Sequence, residues 1–475
     1  MLKNYISERL RFHLEYQPTD SQEELIGVLS EYISGHEPGE LMLIRGYAGT
    51  GKTTLVRALV RTLQELHQHS VLLAPTGRAA KVLSQYSGMP AFTIHKKIYR
   101  QKTGSDGLGE FVADRNLHKD TFFIVDEASM IGNAAPDSQF GSGDLLRDLL
   151  DYVHNDRNCH LVLIGDTAQL PPVGLDVSPA LNPSYLARMG YTARECTLTD
   201  VIRQAAGSGI LLNATAIRDL ISKRKEEIPL ITATGHPDLV HTTGTGLIEA
   251  ISDSYDNYGM EETIIVTRSN KRANRFNAGI RSQILWREEE ISQGDLLMVV
   301  KNNYFWKDEE KRLDFIANGD IMRIEKVRGF RELYGLRFAD IQVTLPDYDD
   351  IHLETKVILD VLDFDGPSLS NEKQRELYTS VLEDYPELTN KKDRAKMIQE
   401  NPWFNALQVK FAYAVTCHKA QGGQWKSVFL DQGYFTDEML NIDYLRWLYT
   451  AFTRATDKLY LVNFARQFIP AGEQQ

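Results

Sequence analysis

The sequence predicts an α/β protein of two lobes, each a parallel sheet between helices. A β-hairpin interrupts the first lobe, and a small β-barrel with a helical segment interrupts the second. Three observations predict this. Gly46-Tyr47-Ala48-Gly49-Thr50-Gly51-Lys52-Thr53 matches G-x-x-x-x-G-K-[ST], between a strand-like Leu41-Met42-Leu43-Ile44 and a helix-like 54–60. Short apolar runs ending in polar turns recur at 70–74, 122–125 and 160–164, and again at 263–266 and 427–430. Residues 286–360 switch to an alternating pattern with turns such as Asn318-Gly319-Asp320.

At 475 residues the chain is too long for one ordinary domain. Its 42% hydrophobic and 25% charged residues are those of a soluble globular protein, and its apolar runs are strand-sized, which excludes a membrane-spanning segment. Met1-Leu2-Lys3-Asn4-Tyr5 lacks the apolar core of a signal peptide. Cys159, Cys196 and Cys417 stand far apart, which excludes a four-cysteine metal site and fits a reducing cytoplasm. The net charge of −12 disfavours nucleic acid as a whole-chain property, so local charge must decide.

Residues 1–40 open with an amphipathic helical pattern, and Asp20 or Ser21 suits the N-cap of a helix over 25–33. Gln22 fits two roles, an amide that reads an adenine edge or a solvated helix residue. The P-loop glycines Gly49 and Gly51 let backbone N–H groups of Thr50 to Thr54 surround a phosphate at a helix N-terminus. Lys52 reaches the β- and γ-phosphates, and the Thr53 hydroxyl ligates Mg²⁺. The strand into Pro75-Thr76-Gly77-Arg78-Ala79-Ala80-Lys81 brings a hydroxyl and two cations together, for an anionic backbone or as a solvated helix face. His95, in Thr93-Ile94-His95, reads on its own as a structural histidine.

Residues 98–119 place two short arms around a Gly-rich tip, a hairpin whose Tyr99 and Phe111 rings suit stacking on an unpaired base. The strand 122–125 then delivers Asp126 and Glu127. Asp126 suits holding Mg²⁺ through water, and Glu127 suits activating the attacking water. Gly165-Asp166 leads to Gln169 and a stiff Pro171-Pro172 pair at a strand's C-terminal end, where Gln169 is placed to sense a γ-phosphate. Arg203 fits either an exposed charge or a finger into the triphosphate. Residues 267–281 carry Arg268, Lys271, Arg272, Arg275 and Arg281 and no acid, a local phosphate track in an acidic chain. Residues 364–405 are polar with helical spacing. The α/β pattern resumes at Lys410-Phe411-Ala412-Tyr413-Ala414-Val415, before Thr416-Cys417-His418-Lys419-Ala420-Gln421-Gly422 and the helix through 445–454.

In order and spacing these motifs resemble the superfamily 1B DNA helicases of the RecD-like and Dda-like group, over 22–454. The resemblance implies two RecA-like domains, the inserted hairpin called 1B and an inserted SH3-like small barrel called 2B. Its implied divisions are domain 1A at 1–95 and 120–196, 1B at 96–119, domain 2A at 197–285 and 406–475, and 2B at 286–405. It implies adenine recognition at Gln22, ATP and Mg²⁺ binding at Lys52, Thr53 and Asp126, and a catalytic base at Glu127. It further implies a γ-phosphate sensor at Gln169 and arginine fingers at Arg203 and Arg454. Single-stranded DNA contacts are implied at Thr76, Thr93, His95, Thr416, His418 and Lys419, beside the Arg268 track. The implied activity is ATP-driven 5′ to 3′ movement on single-stranded DNA with unwinding of forked duplex, by a chain able to act as a monomer. An ATPase that remodels protein–DNA complexes and a non-catalytic DNA-binding subunit are the competing readings. The chain departs from the family at Ala420, where a serine is common, and at Gly423.

Overall fold

The computed structural model describes residues 1–35, 37–103, 109–133, 141–154, 157–202, 207–306, 313, 315–348, 350–387 and 390–473. In the first lobe β1 (Glu40–Gly46), β2 (His69–Ala74), β3 (Ala91–Thr93), β6 (Thr121–Val125), β7 (His160–Gly165) and β8 (Thr192–Leu198) form one parallel sheet in the order β3-β2-β6-β7-β1-β8. The hairpin strands β4 (Tyr99–Thr103) and β5 (Gly109–Ala113) pair antiparallel beside it. The sheet strands read as unbroken apolar runs because both faces are covered. Met42 and Ile44 pack under α1 (Leu2–Leu14), α2 (Asp20–Ser34), α3 (Lys52–Glu65) and α4 (Gly77–Ser87), whereas Leu41 and Leu43 pack on the face of α5 (Ile94–Ile98), α6 (Leu145–Val153) and α7 (Pro183–Arg188). That division is the two-residue period of a strand.

The second lobe stacks β9 (Leu239–Thr242), β10 (Thr263–Thr267), β16 (Ala414–Thr416), β17 (Trp425–Asp431) and β18 (Ala455–Val462) in the parallel order β16-β10-β17-β18-β9. Its helices are α8 (Gly209–Ser222), α9 (Gly244–Tyr258), α10 (Asn270–Gln283), α13 (Cys417–Ala420) and α14 (Ile442–Phe452). Between α10 and β16 the chain forms a closed barrel of β11 (Leu296–Val299), β12 (Ile321–Leu333), β13 (Leu336–Leu345), β14 (Ile351–Ile358) and β15 (Leu407–Phe411). The helices α11 (Asn371–Glu383) and α12 (Lys391–Gln399), from the polar stretch at 364–405, cap one end of that barrel through Leu377, Val381 and Ile398 against Phe338 and Ile358.

Three sequence expectations shift. The cap of α2 is Thr19, not Asp20 or Ser21: Thr19 is extended and its hydroxyl accepts from Gln22 N, while the Gln22 carbonyl accepts from Thr19 N at 3.1 Å. Such a reciprocal cap contributes about 1 kcal/mol. The first sheet runs to Leu198, past the expected boundary at 196, because β8 keeps register with β1 as far as Gly46. The barrel runs to Phe411 rather than 405, because β15 closes it, pairing Phe411 with Leu297 and Leu407 with Val357.

Candidate nucleotide and nucleic-acid site

The adjacent strands β6, β7 and β1 end at one edge of the first sheet, so Asp126-Glu127, Asp166 and the P-loop converge there. Gly49 and Gly51 adopt φ of 76° and 81°, which a side chain resists. A Cβ on Gly51 would lie 2.6 Å from Ile202 and 2.7 Å from the Gln22 amide nitrogen, so the loop also needs glycine for space. Lys52 Nζ donates to the Gly46 and Tyr47 carbonyls at 2.7 and 2.9 Å and lies 4.0 Å from Asp166 Oδ2. Thr50 is fully buried, and Thr53 and Thr54 form the first turn of α3. Gln22 is not a solvated helix residue. It is fully buried and donates to Thr50 O at 3.0 Å and to the Tyr16 hydroxyl at 3.2 Å, which fixes it against the P-loop.

Asp126 accepts from Glu127 N at 2.8 Å and from the Tyr86 hydroxyl. Glu127 sits in the left-handed region at φ 52°, ψ 37°, a conformation that costs roughly 1–2 kcal/mol. Burial raises its carboxyl above the ordinary carboxylate range, and the Arg454 guanidinium opposes that rise. Gln169 is 6% exposed, and its side-chain carbonyl is buried without a hydrogen-bond donor. A buried amide oxygen left unpaired costs about 1–3 kcal/mol unless a ligand group meets it.

The second lobe closes the site with α14. Tyr449, 1% exposed, accepts from Ala48 N of the P-loop at 2.8 Å and donates to Asp166 Oδ2 at 2.6 Å. Thr450 Oγ1 accepts from Leu170 N at 2.9 Å, and Gln421 donates to Leu170 O at 2.7 Å. Arg454 is 2% exposed and donates to Thr450 O, Gly423 O and Thr453 Oγ1 at 3.0, 3.0 and 3.1 Å. Arg203 lies outside the described residues. Tyr449, Asp166 and Gln421 were missed as site residues by sequence reasoning. All three stand inside the quoted motifs, but only the fold pairs residues hundreds of positions apart.

The expected DNA-contact residues fall on the same edges of both sheets. Thr76 and Thr93 follow β2 and end β3, and each caps a helix, accepting from Ala79 N and Lys96 N at 3.2 Å. His95 is half-buried, and burial lowers its pKa to about 4, so it is neutral at physiological pH. Thr416, His418 and Lys419 stand at the end of β16 and on α13. Lys419 donates to Asn318, and burial lowers its pKa to about 8. Arg78 and Lys81, one or both expected on an anionic backbone or in solvent, instead meet the barrel carboxylate Asp347 at 3.2 and 3.4 Å.

Two expectations are corrected. Phe111 is 6% exposed, and its ring lies 4.4 Å from that of Tyr304 and 6.3 Å from that of Phe315, so the base-stacking face drawn for it is covered by protein. Tyr99 is likewise buried and donates to Asp148 Oδ2 at 2.7 Å. The basic run is divided: Arg272 pairs with the fully buried Asp431 and Arg281 with Asp295, whereas Arg268, Lys271 and Arg275 are exposed. The hairpin tip, 104–108, lies outside the described residues.

Two lobes closing on a P-loop, with two carboxylates and a buried arginine around it, define a P-loop ATPase of the two-domain RecA-like kind. Residues 34–236 match a family model described as an AAA domain, and 411–462 match the UvrD-like helicase C-terminal domain. The chain is 25% identical to the ATP-dependent RecD2 DNA helicase of Deinococcus radiodurans, covering 95% of this chain and 50% of that protein. It is 26% identical to the ATP-dependent DNA helicase dda of Enterobacteria phage T4, covering 85% of this chain and 90% of the relative. It thus spans about half the length of the first relative and most of the second. A solved Pif1 helicase from Bacteroides, in complex with ADP-AlF3 and ssDNA, aligns over 96% of this chain and 95% of its own with a TM-score of 0.47 and 14% identity. Over most of its length the chain is thus similar to DNA helicases of the RecD-like and Dda-like kind. Among the described residues no helix is long and apolar enough to cross a membrane, and the three cysteines are free and buried.

Proposed function

We propose that the chain is an ATP-dependent DNA helicase that moves 5′ to 3′ on single-stranded DNA and unwinds forked duplex. The polarity rests on the family resemblance. The observation that carries the mechanism is the Tyr449 hydroxyl, which joins the second lobe to both the P-loop backbone and Asp166. Hydrolysis at the P-loop is then felt between the lobes, and a strand lying across both lobes is moved as they close and open.

The site fits a nucleoside triphosphate with Mg²⁺. Gly49 and Gly51 leave a cradle that a Cβ would fill, and the Gln169 carbonyl is buried and unpaired. Thr53 and Asp126 are the residues that would hold Mg²⁺, which when bound neutralises phosphate charge. Lys52 meets the β- and γ-phosphates and Gln169 senses the γ-phosphate. Gln22, which the resemblance assigns to the adenine edge, has its amide engaged by Thr50 O, Tyr16 and Thr19 N and braces the P-loop instead. Glu127 takes up the proton of the attacking water. Arg454, together with Arg203, stabilises charge developing on the transferred phosphoryl group.

Thr76, Thr93, His95, Arg268, Thr416, His418 and Lys419 form the single-strand track across the edges of both sheets. The hairpin of β4 and β5 projects from the first lobe beside it and separates the strands at the fork, braced through Phe111 rather than stacking with it. Cytoplasmic residence fits the three free cysteines. ATP hydrolysis measured with and without single-stranded DNA tests this reading. Turnover stimulated by DNA and lost in Lys52→Ala is expected, and turnover indifferent to DNA contradicts it.

A further inference from the structure

A cavity of about 340 Å³ lies between the lobes beside the P-loop. Its size falls in the range of small-ligand sites, ~300–1,000 Å³. Arg45, Tyr47 and Thr167 line it from the first lobe, and Arg218 of α8 and Arg446 of α14 line it from the second. Three guanidinium groups thus face one space, and no carboxylate is among the lining side chains. Two of these cations are short of partners. The Nε–H groups of Arg45 and Arg446 are both buried and meet no acceptor among the described residues. A buried donor on a charged group destabilises the fold when it is left unpaired. Arg45 reaches Glu195 with a terminal nitrogen, and Arg446 donates from one to Asp176 O, a carbonyl of the first lobe. Asp443 and Asp176 favour the Arg446 charge and Arg224 opposes it, but burial is the largest effect and draws its pKa below the ordinary arginine value. Arg218 is better satisfied. It donates to Asp219 Oδ1 at 2.9 and 3.2 Å and to Thr199 O at 3.4 Å, and its guanidinium lies 4.7 Å from the centre of the Tyr47 ring. The cavity also adjoins the triphosphate chemistry. Tyr47 and Thr167 are each one residue from Ala48 and Asp166, the two groups that the Tyr449 hydroxyl joins.

We infer that this cavity binds inorganic phosphate, at a second anion site outside the P-loop. Arg45 and Arg446 donate to its oxygens from their unpaired Nε–H groups, and Arg218 adds charge. The two donors belong to different lobes, so phosphate held between them favours one separation of the lobes over another. Two sources supply the same anion. One is the product of hydrolysis at the P-loop, which rests on the nucleotide reading above, and the other is phosphate in solution.

The test is calorimetric titration of inorganic phosphate into the full chain with the P-loop filled by the non-hydrolysable analogue AMP-PNP and Mg²⁺, against chloride at matched ionic strength. One further phosphate per chain is expected. Arg446→Gln and Arg45→Gln should each weaken it about tenfold, the size of one hydrogen bond to a charged group. Arg446→Lys, which keeps the charge, should lose less. AMP-PNP affinity should be unchanged in all three, which a general loss of folding would not allow. Arg45→Gln releases only the exposed Glu195, so it decides the matter should Arg446→Gln fail to fold. Phosphate release after a single turnover of ATP separates the sources. Release that lags hydrolysis in the unaltered chain and catches up in Arg446→Gln makes the product the occupant. Release that tracks hydrolysis in both chains, with the calorimetric site intact, makes it phosphate from solution. Absence of a second phosphate with the P-loop filled overturns the site, and so does binding that neither Arg45→Gln nor Arg446→Gln weakens. Should AMP-PNP itself fail to bind, the nucleotide reading falls, and the same variants judge phosphate binding to the unfilled chain.

Discussion

The Tyr449 hydroxyl donates to Asp166 Oδ2 at 2.6 Å across the boundary between the lobes, while accepting from Ala48 N of the P-loop at 2.8 Å. Burial and Asp166 both raise its pKa, so it remains a donor at any working pH. Tyr449→Phe keeps the ring and removes both hydrogen bonds, leaving a buried carboxylate and a backbone N–H each short of a partner. The expected cost is about 1–3 kcal/mol of stability, with slower DNA-stimulated turnover. Denaturant unfolding and steady-state ATP hydrolysis on the same preparation check both effects. Unchanged values in each would remove the hydroxyl from the coupling.

Glu127→Gln should abolish turnover while keeping ATP and DNA binding, since an amide cannot take up the water's proton. Burial holds the carboxyl's pKa above its unfolded value, so stability falls as pH rises from the unfolded value to the raised one, and the full cost is present above it. At neutral pH the Gln variant should therefore be no less stable than the parent. Thermal unfolding checks this, and ATP hydrolysis near the parent rate would exclude Glu127 as the base.

Arg454, ahead of Lys52, pulls the Glu127 pKa down against the effect of burial. A base works ionised, so the acid limb of the rate profile should lie above that of an exposed carboxylate and move further up in Arg454→Ala. That variant should also lose turnover on the order of 10³-fold, with a smaller loss in nucleotide affinity. A pH–rate profile with an unmoved acid limb would contradict the assignment. Arg203→Ala is expected to show the same split between turnover and binding.

DNA affinity should fall steeply with salt despite the chain's net charge of −12, because screening acts over roughly 8 Å. Arg268→Ala with Lys271→Ala should reduce the slope of log affinity against log salt by about 1.4, roughly 0.7 per lost phosphate contact. Arg272→Ala belongs to another class of change. It strands the buried Asp431 and should cost roughly 3 kcal/mol of stability. A salt slope unmoved by the first pair would place the strand elsewhere.

The hairpin is braced on the barrel by Phe111 against Tyr304, at 4.4 Å. Tyr304→Ala, or replacement of 101–110 by a short Gly-Ser turn, should leave DNA-stimulated hydrolysis largely intact and sharply reduce the base pairs opened per ATP. Opening a pair costs ~1.4 kcal/mol, which a loosened wedge cannot supply. Unwinding at the original yield per ATP would move the wedge to the barrel.

Wherever function is written in adjacent residues, the sequence was readable. The P-loop and Asp126-Glu127 each end an apolar strand, and period-two or unbroken apolar runs mark the strands that carry them. What escaped reading depends on distant partners. Arg272 looked like a free cation because Asp431 stands 159 positions away. Phe111 looked like a free ring because Tyr304 belongs to the barrel. The stretch 410–415 looked like one returning strand of the second sheet, but Lys410 and Phe411 close the barrel against β11 and only Ala414 and Val415 pair with β10. Tyr449 carried no polar signal of its own until α14 was seen to lie over the P-loop.

Strand separation on forked duplexes with a 5′ or a 3′ overhang tests the central claim most directly. With ATP and Mg²⁺, the fork bearing the 5′ overhang should be opened and the fork bearing the 3′ overhang left closed, and neither should be opened by Lys52→Ala. Failure to separate either fork while DNA still stimulates hydrolysis would contradict unwinding and make the chain a remodeller of protein–DNA complexes, and preference for the 3′ overhang would contradict the polarity.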